Sequence, residues 1–173
     1  ESYLYPAGMT HMTMMLPMEY QQGSPGEVLE RLRDPSVREA SLPTMRETLG
    51  RADQICGFTR SGRHIGKRLH ELAEEAGKPP EVFAYDLLLE EDGLQAFVFP
   101  WQVPEEEAAT TVATTARHPR MMVASDGIYN IPHPHPRGNG CFARVLGEFV
   151  RDRSLLTLEE AVYRMSAFPA ERF

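Results

Sequence analysis

At 173 residues, with 42% hydrophobic and 25% charged side chains, the chain is long enough for one globular domain with a real core, and too apolar to be read as disordered. Its net charge of −7 comes from acids spread along the chain, so no basic footprint for nucleic acid exists and that class of partner is not expected. Without an apolar run of about 18 residues, a membrane span is not expected either. No basic-then-apolar leader opens the chain, which makes the cytoplasm the expected compartment. The opening at Glu1 rather than at a methionine sets the further expectation that these residues belong to a longer polypeptide. The two cysteines, Cys56 and Cys141, lie far apart with no Cys-x-x-Cys spacing, so each is read as a buried, small apolar side chain.

In chain order, Glu1 to Tyr5 alternates polar and apolar residues and stops at Pro6-Ala7-Gly8, which predicts a short strand running into a loop. Met12 to Met18 is methionine-rich; such flexible side chains either line a pocket or fill gaps in a core. Ser24-Pro25-Gly26-Glu27 carries an N-cap serine, a proline at the first helical position and a glutamate at the third. A helix therefore starts there and ends near Asp34-Pro35, where the same logic restarts, with Pro43 and Gly50 as later breaks. Gly50 to Gly66 is loop or short strand. Leu69, Leu72, Ala73 and Ala76 sit at helical spacing before Gly77, and Pro79-Pro80-Glu81 opens a helix that is apolar nearly all round until Asp92-Gly93. Leu94 to Phe99 follows as a strand, and Pro104-Glu105-Glu106-Glu107 opens a helix reaching about Arg117.

Met121 to Ala124 is continuously apolar, as a parallel strand covered on both faces is. A helix over Phe142 to Val150 comes next, then Thr157-Leu158-Glu159-Glu160 as a capping box for Ala161 to Phe168, stopped by Pro169. Helices alternating with buried, parallel-type strands predict an α/β fold, with too few strands for a closed sheet.

Parallel α/β folds gather ligands at the C-terminal ends of their strands, and Asp126 of Ser125-Asp126-Gly127 stands at such an end. Asp-Gly there is either a plain turn or a carboxylate aimed into the mouth, fit to serve as a general base or to touch a metal. The His133-Pro134-His135 pair invites a metal-site reading. Pro132, Pro134 and Pro136 instead impose polyproline geometry, in which alternate side chains do not converge, so a solvated or gating loop is expected. Arg137, followed by Gly138-Asn139-Gly140 as a flexible turn, is placed to clamp a small carboxylate.

"VASDG" followed by "HPRGNGCFARVLGEFVRDRSLLTLEEAVYRMSAFPAERF" resembles the D-aminoacylase (N-acyl-D-amino-acid deacylase) family of the amidohydrolase superfamily. The shared order is Ser-Asp-Gly, His-Pro-Arg, Gly-x-Phe-x-Arg-Val-Leu, Leu-x-Glu-Glu-Ala and Pro-Ala-Glu-Arg. "ESYLYPAGMT" is similar to the family's tyrosine segment at the seventh barrel strand, and "GKRLHELAEEAGKPPEVFAYDLLLEEDG" to the helices after it. The resemblance implies the C-terminal part of a metal-dependent (β/α)8 TIM barrel: strand seven and its turn over residues 1–10, a variable insertion near the active-site mouth over 11–64, and the last barrel helices, strand eight and C-terminal helices over 65–173.

The implied activity is zinc-dependent hydrolysis of N-acyl-D-amino acids, a small-molecule substrate. The zinc ligands are expected before residue 1, none is assigned within the chain, and the rest of the barrel is the implied partner. Zinc lowers the pKa of its bound water to about 7. Asp126 is implied as the catalytic proton shuttle, Arg137 as the residue holding the substrate carboxylate, with Tyr3 beside it. Leu4, Glu1 and Met9 depart from the family's proline, aspartate and serine, and Met9 is implied in an apolar part of the substrate pocket. His135 is implied to orient the loop; His133 is extra to the pattern. Two other readings remain open: a cyclic-amide hydrolase of the dihydroorotase or hydantoinase type, and a catalytically silent structural module. The isolated chain is expected to be inactive.

Overall fold

The computed structural model describes residues 1–50, 54–93, 95–100 and 103–173, and the chain forms two compact units. One comprises Ala7–Gln102 with Ile131–His133; the other comprises Glu1–Pro6, Val103–Asn130 and Pro134–Phe173.

The first unit is a three-stranded antiparallel sheet with helices. Strand β1 (Ala7–His11) leads into a 3-10 turn over Met12–Met15 and the single-turn helix α1 (Met18–Gln21). Helix α2 (Pro25–Leu32) opens on the expected capping box: the Ser24 side chain accepts from the Glu27 amide while the Glu27 carboxylate accepts from the Ser24 amide. Helix α3 (Pro35–Leu49) is capped by Asp34 and runs straight through Pro43, contrary to the expected break. Val37, Ser41, Met45 and Leu49 are its buried residues, each four on from the last, so the packing of one continuous face outweighs the roughly 3 kcal/mol cost of an interior proline. Strand β2 (Ile55–Thr59), helix α4 (Leu69–Glu75), helix α5 (Pro80–Glu90) and strand β3 (Gln95–Pro100) complete the unit. β3 begins one residue after the expected Leu94, which lies outside the described residues.

β3 is central, with β1 and β2 both antiparallel to it; Met9 sits opposite Val98, and a bulge interrupts β2 between Cys56 and Phe58. Two expectations need correction. The regular strand lies over Ala7–His11, where a loop was expected, while Glu1–Tyr5 forms only a bridge. Leu4 explains this: its backbone is left-handed, with φ of 57°, which breaks the extended run. The parallel sheet expected from α/β alternation also gives way here to antiparallel pairing.

Met12, Met15, Leu32, Met45, Leu69, Tyr85, Leu88 and Phe97 are buried in the core of this unit. The methionines divide between the two uses foreseen for them: Met12 and Met15 fill the core, whereas Met14 lines a cavity of about 300 Å³ with His11, Gln21, Val28 and Leu29.

The second unit holds the residues of the C-terminal pattern. Helix α6 (Glu105–Arg117) begins with three acids in its first turn, as expected, and buries Ala108, Val112, Ala113 and Ala116. Helix α7 (Arg137–Arg144) continues into a π-helical stretch over Val145–Asp152, so Arg137 opens a helix instead of a flexible turn. The buried Cys141, Val145 and Phe149 explain that difference: at i, i+4 and i+8 they pull the whole segment into a helix despite two glycines in its first turn. Helix α8 (Leu158–Met165) has the expected Thr157–Glu160 capping box. The chain breaks at Ser166, and Pro169, expected as the stop, lies inside the short helix α9 (Ala167–Ala170). Leu4, Val112, Ala116, Val123, Cys141, Val145, Phe149 and Ala161 form the core of this unit. Among the described residues, no helix is long and apolar enough to cross a membrane.

Candidate active site

Two short stretches of the second unit lie side by side. Ser2 forms a parallel bridge with Val123: the Ser2 amide donates to the Met122 carbonyl at 3.0 Å, and the Ala124 amide donates to the Ser2 carbonyl at 3.1 Å. This parallel pairing places Tyr3 and Asp126 at the same, C-terminal, ends of their segments. The Cys141 thiol, at the buried face of α7, lies within 3.4 Å of the Tyr3 carbonyl and 3.5 Å of the Ala124 carbonyl, beneath both segments. Burial pushes that thiol above its usual pKa, and burial does the same more strongly to Cys56, which reaches about 12; both cysteines are buried and free. These thiols are therefore core groups in the native protein.

Asp126 has a left-handed backbone, with φ of 46°, a conformation that aspartate tolerates better than most residues. Its carboxylate is 64% exposed, yet Oδ2 lies 2.7 Å from Nη2 of Arg137, whose side chain is only 4% exposed. Arg137 Nε also donates to the Asp126 carbonyl at 2.9 Å. One guanidinium thus holds both the carboxylate and the strained backbone of the same residue. Tyr3 completes the group, its ring 4.4 Å from the guanidinium carbon, a cation–π contact.

His135 packs edge-on against Tyr3 and Tyr5, with ring centroids 6.1 and 5.3 Å away, and its Nδ1 accepts from the Arg137 amide at 3.0 Å. Two helical turns further along the same face, Arg144 repeats the arrangement: it lies 4.4 Å over the Tyr5 ring and donates to the Leu4 carbonyl at 2.6 Å. Burial raises the Tyr5 pKa, and the Arg144 cation draws it back only in part.

Of the sequence-predicted site residues, Tyr3, Asp126 and Arg137 come together. Met9 belongs to the other unit, where it is buried in β1 at 5% exposure. His133 also belongs to that unit; it is exposed, and its amide donates to the Gly57 carbonyl. Sequence reasoning did not single out Tyr5, Arg144 or Tyr129. The spacing of the first two was a usable signal, since Tyr3 and Tyr5 are two apart on an extended segment and Arg137 and Arg144 seven apart on a helix. Tyr129 had none: its hydroxyl lies 3.0 Å from Ser125 Oγ, and its ring fills the space that the missing side chains of Gly127 and Gly138 leave.

A metal is a separate matter. Among the described residues, no three His, Cys, Asp or Glu side chains gather as a metal site would require, so their donor set does not make up a zinc centre.

No protein-family model matches the chain. It is 56% identical over 57 residues to an N-acyl-D-glutamate deacylase of Alcaligenes xylosoxydans xylosoxydans, covering 33% of this chain and 12% of that protein. It is 36% identical over 108 residues to a D-aminoacylase of the same organism, covering 62% of this chain and 20% of that protein. Among solved structures, an N-acyl-D-glutamate deacylase from Bordetella bronchiseptica, complexed with zinc and a phosphonate that mimics the reaction's tetrahedral intermediate, matches with a TM-score of 0.64 at 27% identity. That match covers 98% of this chain and 27% of the deacylase. The chain thus spans an eighth to a fifth of the curated relatives it matches and about a quarter of the solved structure. In sequence and in fold, the chain is similar to N-acyl-D-amino-acid deacylases and D-aminoacylases over a part of their length.

Proposed function

We propose that this chain is part of an enzyme that hydrolyses the amide bond of N-acyl-D-amino acids, releasing a carboxylate and a D-amino acid, and that it forms the last section of a (β/α)8 barrel. The observation that carries the reading is the Asp126–Arg137 pair beside Tyr3, set at the C-terminal ends of two parallel segments. Ligands of parallel α/β folds collect at such ends. The relatives' names supply the substrate class.

Asp126 is the proton shuttle. Its exposed carboxylate takes a proton from the attacking water as the new C–O bond forms, then delivers it to the amine nitrogen as the C–N bond breaks. Arg137 has two tasks in this reading: it fixes the shuttle and, because a guanidinium is a fork able to serve more than one carboxylate, it binds that of the substrate. Tyr3 supports the guanidinium from its ring face. A zinc ion like that in the Bordetella structure finds no ligand set among the described residues.

The test is turnover of N-acyl-D-amino acids by the full-length protein carrying this chain, with the N-acyl-L compounds and a cyclic amide as controls. Release of free D-amino acid supports the reading. Turnover of the cyclic amide alone, or of nothing, overturns it.

A further inference from the structure

His135 is 5% exposed, yet it makes a specific polar contact at the centre of the site: Nδ1 accepts the Arg137 amide hydrogen at 3.0 Å. A nitrogen that accepts carries no hydrogen, so the imidazole is neutral and its hydrogen resides on Nε2. Tyr3 and Tyr5 press on its ring from the Glu1–Pro6 segment, and Tyr3 in turn lies under the Arg137 guanidinium that grips Asp126. His135 therefore touches both supports of the pair, the backbone from which Arg137 springs and the ring on which its guanidinium rests.

We propose that neutral His135 is a positioning residue for the Asp126–Arg137 pair, acting through the Arg137 amide and the Tyr3 ring, and that its protonation disarms the site. The proposal deepens the deacylase reading and rests on it. A proton on Nδ1 turns the acceptor into a donor facing another donor, which breaks the bond to the Arg137 amide. It also places a second cation on the residue next but one to Arg137. Arg137 from α7 and Tyr3 and Tyr5 from the N-terminal segment are among the charged or titratable groups against it, and Arg144 lies over the Tyr5 ring; Asp126 is matched to Arg137, and Glu148 to Arg144. Histidine is the side chain that ordinarily changes charge between about pH 5 and 8, which sets the range of the assay.

The test uses the full-length protein, wild type and the variants His135→Asn and His135→Leu, with kcat and KM for an N-acyl-D-amino acid measured from pH 5 to pH 9. Asparagine offers an acceptor oxygen where Nδ1 stands and does not titrate; leucine offers neither property. At pH 8, His135→Leu is expected to raise KM about tenfold through the orphaned Arg137 amide, and His135→Asn to recover most of that loss. Below neutrality the wild type is expected to lose kcat/KM on an acid limb that His135→Asn lacks. An acid limb in His135→Asn that superposes on the wild type, or equal loss at pH 8 in both variants, overturns the proposal even if leucine prevents folding. A wild type that turns over no N-acyl-D-amino acid at any pH sinks the deacylase reading and this proposal with it; the other two failures sink the proposal alone.

Discussion

Arg137 grips Asp126 at two points eleven residues away in sequence, its Nη2 2.7 Å from Oδ2 and its Nε 2.9 Å from the carbonyl oxygen. A bond to the carboxylate alone would leave the aspartate backbone free to leave its left-handed conformation. The second bond ties that conformation down, so the position of the carboxylate is set by a buried cation rather than by a turn.

The first prediction concerns the carboxylate. Asp126→Asn keeps a residue that tolerates positive φ but removes both the base and the charge paired with the buried Arg137, so kcat is expected to fall by about 10² to 10⁴ with a modest loss of thermal stability. Asp126→Ala is expected to lose as much activity and some stability besides. Steady-state kinetics with a melting curve check both; kcat within a few-fold of wild type in Asp126→Asn removes the shuttle role.

Arg137→Lys provides a second test. Lysine retains the charge but not the fork that reaches both Asp126 groups, so it is expected to fare nearly as badly as alanine, with kcat/KM for carboxylate-bearing substrates down by roughly 10 to 150-fold. Full activity in the lysine variant would show that a point charge suffices.

Gly127→Ala is predicted to disturb the site by steric means. Its Cβ would stand 2.5 Å from Cζ of Tyr129 and 2.9 Å from Cα of Gly138. Trimming the ring with Tyr129→Ala removes the first clash but not the backbone one, so the double variant is expected to recover part of the lost melting temperature. Strict additivity of the two single effects would mean that the ring and the glycine do not couple.

Glu91, at the end of α5, gives a pH-dependent prediction for the other unit. Burial alone would raise its pKa, but the Ser61 hydroxyl and amide at 2.6 and 2.7 Å, together with Arg63, more than reverse this and hold it below the usual value. With the folded pKa depressed, its stabilisation is complete above the unfolded carboxylate pKa of about 4.3 and is lost as pH falls through the folded value. Glu91→Gln is therefore expected to melt lower than wild type at pH 7, with the gap narrowing towards pH 3. A gap independent of pH would rule out the ionised carboxylate as the source.

The two cysteines are expected to resist alkylation in the native protein at pH 8 and to react once it is unfolded, because burial raises both thiols and hides them. Mass spectrometry of the peptides bearing Cys56 and Cys141 reads this directly. Rapid native labelling at Cys141 would place it outside the core beneath Tyr3 and Ala124.

Much of the local structure was legible because its causes are local. The Ser24–Glu27 and Thr157–Glu160 capping boxes each span four residues and satisfy their own amides, so they form wherever that sequence occurs. The prolines misled for the complementary reason. Pro43 carries a local penalty that a buried neighbouring face offsets, and no local reading contains that face, while Pro169 falls in the first turn of α9, where its missing N–H costs nothing.

The pairing of strands was out of reach for a related reason. Ala7–His11 is a strand because β3 lies beside it, and Glu1–Tyr5 fails to continue as one because Leu4 turns left-handed.

By itself, the sequence determined the helix starts at Pro25, Pro35, Pro80, Glu105 and Leu158, the burial of both cysteines and the ordered pattern of Ser-Asp-Gly and His-Pro-Arg that resembles the deacylases, since each depends on short-range chemistry or on the order of residues. Only the tertiary structure decided that Arg137 opens a helix, that its guanidinium is buried against Tyr3 and Asp126, that Met9 lies in a different unit, and that His135 stands behind the pair as an acceptor. Those facts depend on distances between groups far apart in the chain, and such distances exist only once the core beneath them has formed.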